Sequence, residues 1–179
     1  MLALAGDLKR RVVLYGGHEA WKAAGRLKQT QTPVLISLKY PARPPDADPA
    51  EEEPLRVLEF RDRAPSAAGA LAKAGVPFAF YSDGMANPKD LLPAVRKAID
   101  AGLSVDAAIR ALTLSAAEIY GVADRLGSID GGKIANLIVT EGDLFAEKTK
   151  LKYVFVDGEK FEPLAEQPAA PPAGRGTSR

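Results

Sequence analysis

Three short apolar runs constrain this chain more than any other feature: RVVLY at 11–15, VLISL at 34–38 and VPFAFY at 76–81. Each is too short for a stable helix, and none shows the alternation of a strand with one wet face. Continuous apolar runs of this kind belong to parallel strands covered on both faces. Between the first two, HEAWKAAGRLKQ carries Ala20, Ala23, Ala24 and Leu27 at helical spacing, so the opening reads as a β-α-β unit.

The connection after the second run differs in character. PARPPDADPAEEEP at 41–54 is Pro-rich and acidic, which predicts an exposed loop with little order. LRVLEFRDR then reads as a short helix. Pro65 starts another, with Ala67, Ala68, Leu71 and Ala72 as its packing face and Gly75 as its cap. After the third strand the pattern is helical again. Leu91, Leu92, Val95, Ala98 and Ile99 form a stripe that Gly102 ends. Ser104 is placed to N-cap a helix that turns Ala108, Ile109, Ala111 and Leu112 inward. Ser115 with Glu118 predicts a capping box, and Gly121 a stop.

From Gly127 the period becomes two. A strand is expected at Ala135 to Thr140, followed by a hairpin that joins VFV and KF through Asp157-Gly158. The final Pro-, Ala- and Gly-rich residues read as a disordered tail.

The bulk properties narrow function by exclusion. Lys and Arg number 24 against 23 Asp and Glu, which supplies no electrostatic reason for nucleic acid or an anionic membrane as partner. No apolar run approaches membrane-spanning length, and MLALAGDLKRR has its charge in the wrong order for a secretory signal. With no cysteine there is no disulfide, thiolate metal site or thiol nucleophile. No Gly-rich loop followed by Lys-Ser/Thr suggests nucleotide binding, and Ser82 has no base at a spacing that suggests a serine hydrolase. The single histidine is His18.

The segments VVLYGGHEAWKAAGRLKQTQTPVLIS, SAAGALAKAGVPFAFYSDG and ALTLSAAEIYGVADRLGSIDGGKIANLIVTEGD resemble, in order and spacing, the C-terminal half of the amidohydrolase superfamily, in its imidazolonepropionase-like branch. The resemblance covers residues 10 to 162. It implies an α/β fold, the C-terminal part of a (β/α)8 TIM-like barrel with about three parallel strands, plus the C-terminal strands of a small β-sandwich. Residues 11–15, 33–38 and 76–82 would be barrel strands six, seven and eight. The expected division is 1–126 for the partial barrel, 127–162 for the sandwich strands and 163–179 for the tail.

Family members use one or two divalent metals, most often zinc, to activate water against non-peptide carbon–nitrogen bonds. The resemblance implies that Asp83, at the end of strand eight, is a metal ligand or a general base. A turn made by Ser82-Asp83-Gly84 is the alternative. His18, after strand six, is a candidate metal ligand, and a residue that merely starts a helix is the alternative. Lys133 reads as a turn residue. Asn136 stands where the family has Asp, so a structural role keeps its hydrogen bonding and loses its charge. Trp21, Tyr15 and Tyr81 read as packing residues.

No counterparts exist for the family's His-x-His pair or for its ligands on strands four and five. One histidine and one aspartate fall short of a catalytic zinc set, so no metal is expected on this chain alone. Two expectations follow. The chain is the C-terminal fragment of a metal-dependent hydrolase, partnered by the N-terminal half of a barrel and acting on a small-molecule substrate. Alternatively, it is a non-catalytic remnant that self-associates through exposed edges. Cytoplasm and periplasm are both compatible with the sequence.

Overall fold

The computed structural model describes residues 11–48 and 50–163, and the predicted tail from residue 164 onward lies outside them. The chain divides into two compact units after Ile134.

The first unit holds a three-stranded parallel sheet, β1 (Leu14–Gly16), β2 (Val34–Ser37) and β3 (Phe78–Tyr81), in the order β1-β2-β3. Its helices are α1 (Ala24–Gln29), α2 (Leu55–Arg63), α3 (Ala67–Ala74), α4 (Leu91–Asp100), α5 (Val105–Leu112) and α6 (Leu114–Tyr120). Central β2 is buried at every position, as its continuous apolar run requires.

Strand register sorts the side chains onto two faces. Leu14, Val34, Ile36, Phe78 and Phe80 share one, and Tyr15, Leu35, Ser37, Ala79 and Tyr81 the other. On the second face Leu35 and Ala79 form a buried cluster with Ile119 of α6, flanked by Val13, Tyr81 and Ala116. Helix α3 contacts both α1 and β3, and Leu27 and Leu71 are fully buried. Gly75 closes α3 in the left-handed conformation at φ 71°, with Val76 N–H returning to the Leu71 carbonyl at 3.0 Å.

Four sequence expectations need correction here. The first strand starts at Leu14 rather than residue 11, and it is half-buried. Tyr15 is 62% exposed because β1 is an edge with no neighbour on its outer side among the described residues. Tyr15 is therefore not a core residue, and its hydroxyl lies 3.3 Å from that of Tyr120. Ile109 points outward, 41% exposed, while Ala108 and Ala111 carry the buried face of α5. The Ser115–Glu118 capping box does not form, since the helix starts at Leu114 and both Glu118 carboxylate oxygens bind Arg110 at 2.7 and 3.0 Å. Ser104 does cap α5, accepting from Ala107 N–H at 3.3 Å.

The second unit is an antiparallel sheet, β4 (Leu137–Glu141), β5 (Lys150–Val156) and β6 (Glu159–Phe161), with a register shift between Val139 and Thr140. The first of these strands begins two residues later than the period-two pattern predicts, because Ala135 and Asn136 are occupied in holding the hairpin. The turn is Asp157-Gly158 as read, with positive φ at both positions. Gly158 N–H donates to the Ala135 carbonyl at 3.1 Å, and Asp157 N–H donates to Asn136 Oδ1 at 2.7 Å. Asn136 thus needs only an acceptor oxygen, which the amide supplies without charge. No described helix is long and apolar enough to cross a membrane.

Candidate functional site at the carboxyl ends of the parallel strands

The parallel strands point the same way, so the residues just past their C-terminal ends gather along one rim. His18 follows β1, Ser37 ends β2, and Asp83 follows β3. Gly16 and Gly17, both at positive φ, turn the chain after β1. A Cβ on Gly17 would stand 2.8 Å from Val34 Cγ1, so this backbone lies directly on the sheet.

His18 and Asp83 meet on one residue. The His18 Nε2 lies 2.9 Å from the Ser37 carbonyl oxygen, and the Ser37 hydroxyl donates to Asp83 Oδ2 at 2.8 Å. Lys39 N–H donates to the same hydroxyl oxygen at 3.0 Å. Ser37 is 1% exposed, whereas Asp83 is exposed and His18 half-buried. Asp83 has φ 51°, a left-handed backbone that Asp tolerates better than most residues, and Gly84 follows at φ 66°. The turn and the converging carboxylate are therefore the same feature. The two alternatives for Asp83 do not exclude each other.

Ser37 escaped the sequence reading, although a signal existed. A hydroxyl inside a continuous apolar run of a central strand must find a partner or suffer a desolvation penalty.

The surroundings are aromatic. The His18 ring lies 5.6 Å from that of Tyr40 and 6.0 Å from that of Phe60, so it sits between the two ends of the 41–54 loop. Burial pushes the Tyr40 phenol up to about 12. Burial first, and then the nearby Asp83 charge, hold the Tyr81 phenol above its ordinary value. The loop has more structure than its composition suggests. Arg43 donates to the backbone carbonyls of Asp48 and Glu51, and Arg61 grips both Glu53 carboxylate oxygens. Trp21, beside His18, is half-buried under Arg63, whose guanidinium is 5.6 Å from the ring centre. Lys133 holds a turn, 3.2 Å from Asp130 and bonded to Ser128.

Two cavities flank the rim. One of about 490 Å³ is lined by His18, Trp21, Phe60 and Arg63, and one of about 440 Å³ by Lys39, Tyr40, Met85 and Lys97. Among the described residues no three of His, Asp and Glu cluster as a metal site. His18 and Asp83 supply two donors at most, and one His18 nitrogen is already committed to Ser37. A catalytic zinc takes three protein ligands, so the residues present do not by themselves fit that metal.

A family model for the amidohydrolase family matches residues 49–161, a span that includes Asp83 and starts after His18. Among solved structures, an amidohydrolase from Thermotoga maritima MSB8 is 27% identical with a TM-score of 0.72, over 90% of this chain and 40% of its own. A prolidase complexed with N-methylphosphonate-L-proline is 22% identical with a TM-score of 0.62, over 90% of this chain and 42% of its own. A Xaa-Pro dipeptidase with methionine bound in its active site is 18% identical with a TM-score of 0.62, over 90% and 47%. The last two are likenesses of fold. The chain spans less than half the length of each of the three. No curated protein matches the chain.

Proposed function

Since this chain belongs to the amidohydrolase family, we propose that it forms the C-terminal part of a (β/α)8-barrel hydrolase acting on carbon–nitrogen bonds of a small molecule. In this reading β1, β2 and β3 are barrel strands six to eight, and β4 to β6 belong to the accompanying β-sandwich. The imidazolonepropionase-like branch is the affiliation the sequence motifs favour. The remaining strands come from the rest of the barrel, on this polypeptide or on a separate one.

One observation carries the proposal. A carboxylate and an imidazole from different strands meet at the carboxyl rim of the parallel sheet, where barrel enzymes place their chemistry. Asp83 turns one oxygen to Ser37, and its other oxygen is suited to take a proton from an attacking water. His18 keeps one ring nitrogen for substrate or ligand. His18 and Asp83 would be two of the residues holding the divalent metal that the resemblance implies, zinc foremost, whose chemistry would be the activation of water, and its other ligands would lie on the other barrel strands. The loop at 39–54, flanked by rings beside His18, shapes substrate choice.

A specific observation favours a second reading. Tyr15, 62% exposed on a parallel edge that no described strand covers, belongs to a surface that a folded protein rarely leaves bare. A non-catalytic family member that self-associates through β1 would cover it equally well.

The two readings part in a complementation assay on cyclic and acylated amides with zinc present. The purified chain is expected to be inactive, and co-expression with a polypeptide carrying the other five strands to restore turnover. Inactivity of the complemented assembly, together with a stable homodimer, would favour the remnant. Full turnover by the isolated chain would contradict both.

A further inference from the structure

We infer that Ser37 is a positioning residue, one that fixes which nitrogen of His18 and which oxygen of Asp83 face outward at the rim. The inference rests on the proposed hydrolase reading for its functional meaning, while its geometry stands independently.

Hydrogen-bond bookkeeping leads to it. A serine hydroxyl has one proton and two lone pairs, and an ionised carboxylate can only accept. At 2.8 Å the Ser37 proton therefore lies toward Asp83 Oδ2, and the oxygen receives Lys39 N–H at 3.0 Å. The Lys39 carbonyl, 3.5 Å away, is the poorer acceptor for that proton. The hydroxyl is thus engaged in both senses. At 1% exposure it is largely shielded from exchange of partners with solvent.

The backbone of the same residue orients the imidazole. A carbonyl cannot donate, so the proton between His18 and Ser37 sits on His18 Nε2. In the neutral ring the lone pair is then on Nδ1. Among the described residues neither His18 Nδ1 nor Asp83 Oδ1 makes a hydrogen bond. These two atoms are what the rim offers to a reacting molecule. The arrangement is not a serine-nucleophile triad, because the imidazole binds the Ser37 carbonyl and not its hydroxyl.

Asp83 depends most on this contact. Exposed, left-handed at φ 51° and followed by a glycine, its side chain has the Ser37 hydroxyl as its hydrogen-bond anchor among the described residues. Removing that anchor leaves the carboxylate attached and ionisable, but free to rotate.

The single histidine makes the test clean. Nitrogen-15 NMR of the full chain should show His18 with its proton on Nε2, and three-bond couplings should show one χ1 rotamer for Asp83. In Ser37→Ala the His18 tautomer should persist, because the carbonyl remains, while the Asp83 couplings average and the melting temperature stays within a few degrees. A His18 proton on Nδ1, or unaltered Asp83 couplings in Ser37→Ala, would overturn the inference.

Should Ser37→Ala not fold, Asp83→Ala alters an exposed residue and leaves Ser37 intact. Its Ser37 hydroxyl proton should exchange with solvent at least tenfold faster than in the parent, and equal exchange would overturn the inference. In the complemented enzyme Ser37→Ala should lower kcat about tenfold with KM unchanged, a modest share of what a positioned base contributes. Absence of turnover from the complemented parent chain would refute the hydrolase reading, while the NMR results would still decide the role of Ser37.

Discussion

At their N-terminal ends β1, β2 and β3 open onto a cavity of about 870 Å³, lined by Arg11, Thr32, Arg110, Glu118 and Ile119 among others. At their C-terminal ends the flanking cavities are about half that size. Volume alone would favour the N-terminal rim over the one proposed for the site. The polar groups tell the ends apart. At the N-terminal rim Arg110 binds both Glu118 carboxylate oxygens, and Arg11 donates to the Glu118 backbone carbonyl at 3.1 Å, so both guanidinium groups are held by hydrogen bonds. At the C-terminal rim His18 and Asp83 each use one atom to stay in place, and the other makes no hydrogen bond among the described residues. The first arrangement ties two helices and a strand end together, and the second is the one on which the proposed chemistry rests.

That contrast predicts that substitutions on the N-terminal side lower stability. The largest effect is expected at Gly127, which backs α6. An added Cβ would stand 2.7 Å from Ala117 Cβ and 2.9 Å from Leu114 Cα, at φ 93°. Gly127→Ala should destabilise the first unit by about 2–4 kcal/mol in urea unfolding. A loss below 0.5 kcal/mol would show that the helix is not held as described. Glu118→Ala comes next. The Arg110 pair is about half exposed, so its removal should cost about 1 kcal/mol or less. A larger loss would mean that this rim carries more than surface charge.

At the C-terminal rim Tyr40→Phe should remove the phenol that ionises near pH 12 from the alkaline absorbance titration. Among the described residues the buried Tyr40 hydroxyl has no hydrogen-bond partner, so the same substitution should leave stability unchanged or slightly raised. The stabilisation linked to a raised phenol is complete below its ordinary value of 10 and lost as pH rises toward 12. The parent chain should therefore weaken across that window more than the variant.

The smallest effect concerns the loop. The hydrogen bond from Arg61 holds the Glu53 carboxyl below its ordinary 4.5. The contribution of the clamp is complete above that value and disappears as pH falls through the lowered one. The protection of residues 50–53 from hydrogen exchange, relative to the intrinsic rate at each pH, should fall only in that acid range. A fall already at pH 6 would exclude Glu53 as the clamp.

What the sequence made legible follows from how local each cause is. VLISL announces a central strand because burial on both faces leaves no polar position to spare, and Asp157-Gly158 announces a turn because few residues accept that backbone. Asp83 was legible for a related reason, as a carboxylate closing a parallel strand. The edge status of β1 was not, since Tyr15 has the same apolar neighbours whether or not another strand lies beside it. The capping box at Ser115 failed for a tertiary reason, because Arg110 competes for Glu118. Ser37 was hidden by its company in an apolar run, and its partners lie 19 and 46 residues away.

The most direct test of the rim's role is Asp83→Asn in the complemented barrel, assayed for turnover alongside the melting temperature of the chain. The substitution keeps an oxygen for the Ser37 hydroxyl and removes the proton acceptor. A fall in kcat of at least about 100-fold with unchanged melting is the predicted result, in line with the loss of a positioned base. Undiminished turnover would contradict the assignment of this rim as part of a hydrolase site.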